Sequence, residues 1–339
     1  MARRWLGLGL LGLSLTAAAS GPAEWLVEMS QAVRSTNYEG VMIYRGDATL
    51  ETFRVTHRYD AGEERERVQS LTGEPREILR VGDTVTCLLP RNRRMSSARE
   101  VPQTLFPVLT TEQVARIAEV YELRDLGEQR IAGRRCQGVA IAPRDRYRYG
   151  YEIWADSETR VPIKVTLRDP DGRTLEEMMF TEVRFPATIP DSAFQIDPER
   201  SRELETVVSE RAPPPATLVA MNGDATAHDA SQTRWRLRAI PRGFELVMHV
   251  QRALPQGRGR LQHWVLSDGL TAVSVFGREG AAGAMPIERP FSAMGAVNAY
   301  RRSLESLQIT VVGEVPQETI RLIAEGVGPA EPVRLPALP

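Results

Sequence analysis

Lysine is almost missing from this 339-residue chain: Lys164 is the only one, and arginine supplies every other basic side chain. Contacts to phosphate or carboxylate therefore fall to a planar guanidinium fork rather than a compact ammonium. A basic excess is missing too. Lys and Arg total 43 against 44 acidic residues, and the formal charge of -1 becomes -3 once Arg3 and Arg4 are removed. That balance excludes a general nucleic-acid binder, which needs cations to displace counterions from phosphates. Histidine is limited to His57, His228, His249 and His263, with no HExxH pair to set two ligands on one helix face. With only two cysteines beside them, a zinc site is disfavoured. There is no GxSxG elbow and no Walker-type loop; Gly257-Arg258-Gly259-Arg260 lacks the GK[ST] that would reach phosphate and Mg²⁺. The chain reads as non-enzymatic, with no cofactor and no metal.

Long apolar runs are absent as well. Residues 5–15 form the longest candidate, too short for the ~20 residues of a membrane-spanning helix. Arg3 and Arg4 precede that run and Ala17-Ala18-Ala19 follow it, the order of a signal peptide with its cleavage site. We read residues 1–19 as a leader cleaved near Ala19, with no cysteine behind it to direct lipoprotein processing. Export makes an even pair of cysteines read first as one disulfide. Cys87 and Cys136 each lie in an apolar strand-like run, and a bridge there would add roughly 3–4 kcal/mol. Two buried thiols are the alternative, because pairing depends on Cα separation.

What is present is a succession of short β-rich runs. Residues 24–34 have Trp25, Met29 and Ala32/Val33 at helical spacing. From Tyr38 to Leu89 five runs with tight connections predict an antiparallel meander, and 111–118 predicts a short capped helix. Strands resume from Tyr121 to Phe185, with Asp169-Pro170-Asp171-Gly172 as a hairpin turn. Residues 199–216 are charge-rich and end in Pro213-Pro214-Pro215, which predicts a stiff linker between domains at 22–198 and 217–328. Strands recur in the second domain around an Asp268-Gly269 turn, 292–302 is ambiguous between helix and strand, and 316–326 predicts a helix. The Pro-rich positions 329–339 read as a disordered tail.

One stretch stands out, from Arg144-Asp145-Arg146-Tyr147-Arg148-Tyr149-Gly150-Tyr151 to Trp154. Read as a strand, it places Tyr147, Tyr149, Tyr151 and Ile153 on one face and Arg146, Arg148, Glu152 and Trp154 on the other. An aromatic face of that kind is either ordinary core or the wall of a cavity for an apolar ligand.

With Asp156, Thr159, Pro162-Ile163-Lys164 and Phe180-Thr181, this stretch resembles the N-terminal domain of the RseB/MucB family. Trp235, Pro241, Gly243-Phe244, the run 267–276 and Val311-Val312-Gly313-Glu314-Val315-Pro316 resemble that family's C-terminal domain. The resemblance implies an α+β, mainly antiparallel fold: an unclosed, curved LolA/LolB-like sheet over helices, followed by a smaller mixed domain. It also implies a periplasmic regulator that binds the periplasmic domain of a transmembrane anti-sigma factor, protects it from site-1 proteolysis and is released by lipopolysaccharide or a related lipid. A lipid or lipoprotein carrier and an exported hydrolase are the rival readings; homo-oligomer formation is left open. On this reading, candidate lipid contacts are Leu105, Phe106, Arg144, Arg146, Tyr147, Arg148, Tyr149 and Tyr151. Candidate partner contacts are Ser267, Asp268, Val273, Val275 and Phe276.

Overall fold

The computed structural model describes residues 21–46, 49–90, 108–197, 204–210, 235–253, 259–279, 291–304 and 307–329. The leader, Leu105, Phe106, His228, Pro213-Pro214-Pro215 and positions 330–339 lie outside them.

Helix α1 (Pro22–Ser35) starts on a proline, where the missing N–H has no helical partner to lose. It buries Trp25, Leu26, Met29, Ala32 and Val33, the stripe that the 3.6-residue period predicts. A meander follows: β1 (Tyr38–Arg45), β2 (Leu50–Asp60), β3 (Glu63–Ser70), β4 (Glu77–Val81) and β5 (Thr84–Pro90). Helix α2 (Thr111–Ile117) opens with a reciprocal capping box between Thr110 and Gln113. Strands β6 (Tyr121–Ile131), β7 (Arg134–Pro143), β8 (Gly150–Asp156), β9 (Pro162–Arg168) and β10 (Thr174–Arg184) come next. A single 3₁₀ turn (Asp191–Phe194) and β11 (Leu204–Glu210) complete the unit.

All eleven strands form one sheet in the order β11-β5-β4-β3-β2-β1-β10-β9-β8-β7-β6, so β11 and β6 are edges and the sheet is unclosed. Flat, β3 and β6 would lie about 34 Å apart at ~4.8 Å per strand. Yet Val68 of β3 and Tyr121 and Ile131 of β6 belong to one core around α1. A helix about 10 Å across can reach both only if the sheet curves around it.

The second domain comprises β12 (Trp235–Leu237), β13 (Glu245–Ala253), β14 (Arg260–Ser267), β15 (Ala272–Glu279), β16 (Phe291–Met294), β17 (Val297–Leu304), β18 (Leu307–Gly313), α3 (Gln317–Gly326) and β19 (Val327–Pro329). Six strands form an antiparallel sheet, β13-β14-β15-β18-β17-β16, while β12 pairs with β19. Helix α3 lays Ile320, Ile323 and Ala324 against the face that carries Trp264, Leu266, Val273, Val275, Ile309 and Val311. Among the described residues, no helix is long and apolar enough to cross a membrane.

Four expectations change. Within the expected linker at 199–216, Leu204–Glu210 is a strand, paired residue for residue with β5 from Leu204↔Pro90 to Glu210↔Thr84. The open ladder groups of β5 supply the reason, since an unpaired edge recruits any β-competent segment within reach. The ambiguous 292–302 stretch forms β16 and β17. Pro329, assigned to the tail, ends β19 opposite Trp235. Finally, Cys87 and Cys136 are not bridged: they sit on β5 and β7, with seven strands between them. Cys136 is fully buried, and that burial pushes its thiol up to about 11.

Cys136 is therefore expected to resist a thiol reagent at pH 8 while the chain is folded and to react once it is unfolded; rapid native labelling by peptide mass mapping would contradict this placement. His249 gives a pH signature. It stacks on Trp264 at 5.4 Å, and burial lowers its pKa below 6.5. The unfolded chain then takes up the proton first, so this residue costs stability as pH falls below about 6.5. Urea midpoints of His249→Phe are expected to fall less than those of the parent between pH 7 and pH 5.

Candidate functional site: the junction between the domains

Pro143 ends β7, and the next residues bend instead of continuing as a strand. Asp145 Oδ1 accepts the Tyr147 N–H at 2.9 Å, closing a local turn that competes with strand geometry. The expected alternation over Tyr147, Tyr149 and Tyr151 is broken there, because β8 begins only at Gly150. The bend aims Arg148 at the second domain.

Arg148 is fully buried. Its Nε and Nη2 donate to the two oxygens of Asp145, both at 3.0 Å, a bidentate fork. Nη1 donates to Asp268 Oδ2 at 3.0 Å, and Nη2 also donates to the Arg242 carbonyl at 2.6 Å. The guanidinium carbon lies 5.4 Å from the Tyr121 ring centroid and 5.2 Å from that of Phe244, so aromatic faces enclose the charge. Asp268 is equally enclosed and fully bonded. Oδ2 accepts the Tyr121 hydroxyl at 2.9 Å, and Oδ1 accepts the Leu270 and Thr271 N–H groups at 3.0 and 2.9 Å. Burial, reinforced by the Asp268 charge, holds the Tyr121 hydroxyl well above 10, so it stays a donor.

Neighbouring contacts extend the junction. Asn298 Nδ2 donates to the Tyr149 hydroxyl at 3.0 Å and to the Val315 carbonyl at 2.9 Å. Tyr149 packs with Leu167 and Ala296, and its hydroxyl is pushed up to about 12, mainly by burial. Thr319 Oγ1 donates to the Tyr147 carbonyl at 2.6 Å, the Ala296 N–H to Glu176 at 3.1 Å, and Arg146 pairs with Glu318 at 2.6 Å. Two glycines permit close approach. A Cβ on Gly243 (φ +83°) would stand 2.6 Å from Val120, and one on Gly269 (φ +95°) 3.3 Å from Ile117.

Arg148 and Tyr149 from the candidate lipid set thus meet the second domain, with Arg148 directly on Asp268 of the candidate partner set. Arg144 and Arg146 are exposed, while Tyr147 and Tyr151 are half-buried. Ser267 closes its own turn through the Thr271 carbonyl at 2.8 Å. Val273 and Val275 are core. Phe276 lies on the other face of the sheet, stacked on His263 at 4.3 Å. Sequence reasoning missed Tyr121, Phe244, Asn298 and Thr319, which meet across-junction partners about a hundred residues or more away in the chain.

Truncating Asp268 leaves a buried guanidinium without one of its counter-charges, which costs about 3–5 kcal/mol. Asp268→Ala is expected to lower the urea midpoint accordingly and to expand the molecule in small-angle scattering. The double variant Arg148→Met/Asp268→Leu should recover part of the loss, since it removes both charges together. Equal midpoints for Asp268→Ala and the parent would contradict the assignment.

Family models agree with this two-domain organisation. The MucB/RseB N-terminal domain matches residues 21–198 and the MucB/RseB C-terminal domain matches 229–328. The Pseudomonas aeruginosa sigma factor AlgU regulatory protein MucB is 29% identical over 94% of both chains. The Escherichia coli sigma-E factor regulatory protein RseB is 25% identical over 96% of this chain and 98% of its own. The structure of the P. aeruginosa MucA/MucB complex aligns with a TM-score of 0.69 at 27% identity, covering 92% of this chain and 99% of that one. A crystal structure of MucB aligns at 0.60 and 26% identity, covering 91% and 98%. The protein belongs to the MucB/RseB family.

Proposed function

We propose that this protein is an exported, non-enzymatic regulator that binds the periplasmic part of a membrane-spanning anti-sigma factor and shields it from site-1 proteolysis. The observation that carries the reading is the likeness, over 92% of the chain, to MucB in its complex with MucA, spanning both domains rather than the first alone. The buried Arg148–Asp268 pair supports it, because a pair shared between two domains makes them act as one binding body. A carrier would need only the first sheet.

The second part of the proposal is release by lipopolysaccharide or a related lipid. Arg144 is exposed and suits charge-assisted bonds to lipid phosphates with the domains docked, while Arg146, also exposed, would exchange its ion pair with Glu318 for one. Arg148 and Tyr149 would become available only when the domains part. Tyr147, Tyr151, Leu105 and Phe106 complete this candidate set as apolar contacts.

The test uses the mature chain, without its leader, and the periplasmic segment of the anti-sigma factor from the same organism. Calorimetry is expected to show binding, and added protein should slow cleavage of that segment by the site-1 protease. Lipopolysaccharide should reverse both effects. A chain that neither binds the segment nor slows its cleavage overturns the regulator reading; binding that lipopolysaccharide leaves untouched overturns only the release step.

A further inference from the structure

Helix α3 covers one face of the second sheet, and no described helix covers the other. Strand alternation brings Met248, Val250, Leu261, Phe276 and Val312 to that open face, all half-buried. Arg278 and Arg301 stand among them, both exposed. Neither has an ion-pair partner among the described residues, whereas arginines of the first sheet such as Arg67, Arg80 and Arg168 are matched to carboxylates. Pairing opposite Ser267 also places Glu245 on this face, at the rim beside Arg116 of the first domain; from Met248 on β13 to Ser303 on β17 the described positions of this face carry no acid. In a chain with 44 acidic residues, a cationic and apolar face whose one acid among the described residues stands at its rim departs from the overall composition. Among the described residues, the first domain docks at the rim, at Glu245, the turn 268–271, Ala296 and Asn298, and leaves Arg278 and Arg301 exposed while the domains are joined.

We propose that this face docks an acidic, amphipathic peptide segment of the protein partner. Its apolar side chains would meet Met248, Val250 and Phe276, and its carboxylates the guanidinium forks of Arg278 and Arg301. The proposal rests on the reading of the chain as a regulator that binds an anti-sigma factor. A peptide fits better than a lipid surface. The apolar side chains are half-buried, with Ser274 and Thr310 beside Phe276 and Val312, instead of projecting as membrane-inserting groups do.

The experiment measures the affinity of the full mature chain for the anti-sigma periplasmic segment, using Arg278→Glu/Arg301→Glu and the milder Arg278→Gln/Arg301→Gln. Both sites are exposed, so melting temperatures are expected to match the parent's. Binding by the parent should weaken with added salt. The Glu pair should weaken it roughly tenfold or more at low salt, and the Gln pair less. Parent-like affinity in both variants overturns the surface while leaving the regulator reading standing. Failure of the parent itself to bind overturns both. Binding of the parent to phosphatidylglycerol vesicles, lost in the Glu pair while partner affinity is retained, assigns the face to lipid and overturns the peptide proposal.

Discussion

Arg148 carries a charge that the interior cannot hold alone, and part of what neutralises it comes from the other domain. Asp145 grips it through a bidentate fork, which fixes the plane of the guanidinium from within the first domain. The remaining Nη1 then points along one direction, and Asp268 must meet it there. Asp268 is itself pinned by two turn N–H groups, so neither end can swing to follow the other. A hydrophobic contact would tolerate sliding; a pair of immobilised, oriented charges does not. The other junction contacts depend on that approach. Gly243 can lie on Val120, and Asn298 can reach both Tyr149 and Val315, only at this separation. Replacement of a buried ion pair by apolar side chains is often neutral or favourable for stability. The contribution of Arg148 and Asp268 is thus the selection of one relative orientation among several that greasy surfaces would allow.

Sequence patterns revealed the parts of the fold that follow from local physics. Alternation and turn residues marked the meander from β1 to β5 and the hairpin at Asp169–Gly172, because each strand has one solvated and one buried face. Helix α1 was legible from its apolar stripe, and α2 from its cap. Strand β11 was not: the charge-rich run before it and the prolines after it look like a solvated linker, and its pairing is dictated by an open edge more than a hundred residues earlier in the chain. The cysteines failed for a related reason. Strand-like surroundings say that a residue lies in a sheet, yet position within the sheet is set by topology, and seven strands separate the two thiols.

The candidate site shows the same division between local and distant causes. The run Arg144 to Tyr151 was recognisable as unusual, and the family resemblance came through it. Its geometry was not recognisable, because period-2 alternation presumes an unbroken strand and Pro143 with Asp145 breaks it. A tyrosine–arginine stretch that read as either ordinary core or a cavity wall supplies Arg148 and Tyr149 to a domain joint. Ser267 and Asp268, legible as a turn, are where that joint closes. Two separately nominated sites turned out to be the two sides of one contact, and no pattern within either segment could have paired them.

Where the joint lies has a consequence for binding. A six-stranded sheet offers two faces and the rims at its strand ends. In the second domain α3 takes one face, and the turns at one rim take the first domain. Among the described residues, the face that carries Arg278 and Arg301 is left over. Docking at a rim immobilises the sheet without covering that face, so a ligand there need not compete with domain closure. Coupling between the two has one route through β17, which carries both Asn298 and Arg301, and another through β14 and β15. These strands carry Val265 and Phe276 toward the open face, and the turn that joins them holds Asp268. A change in the tilt of that hairpin moves Asp268 relative to Arg148. Because the pair is buried and directional, a small displacement at one end costs more there than a comparable shift between apolar surfaces.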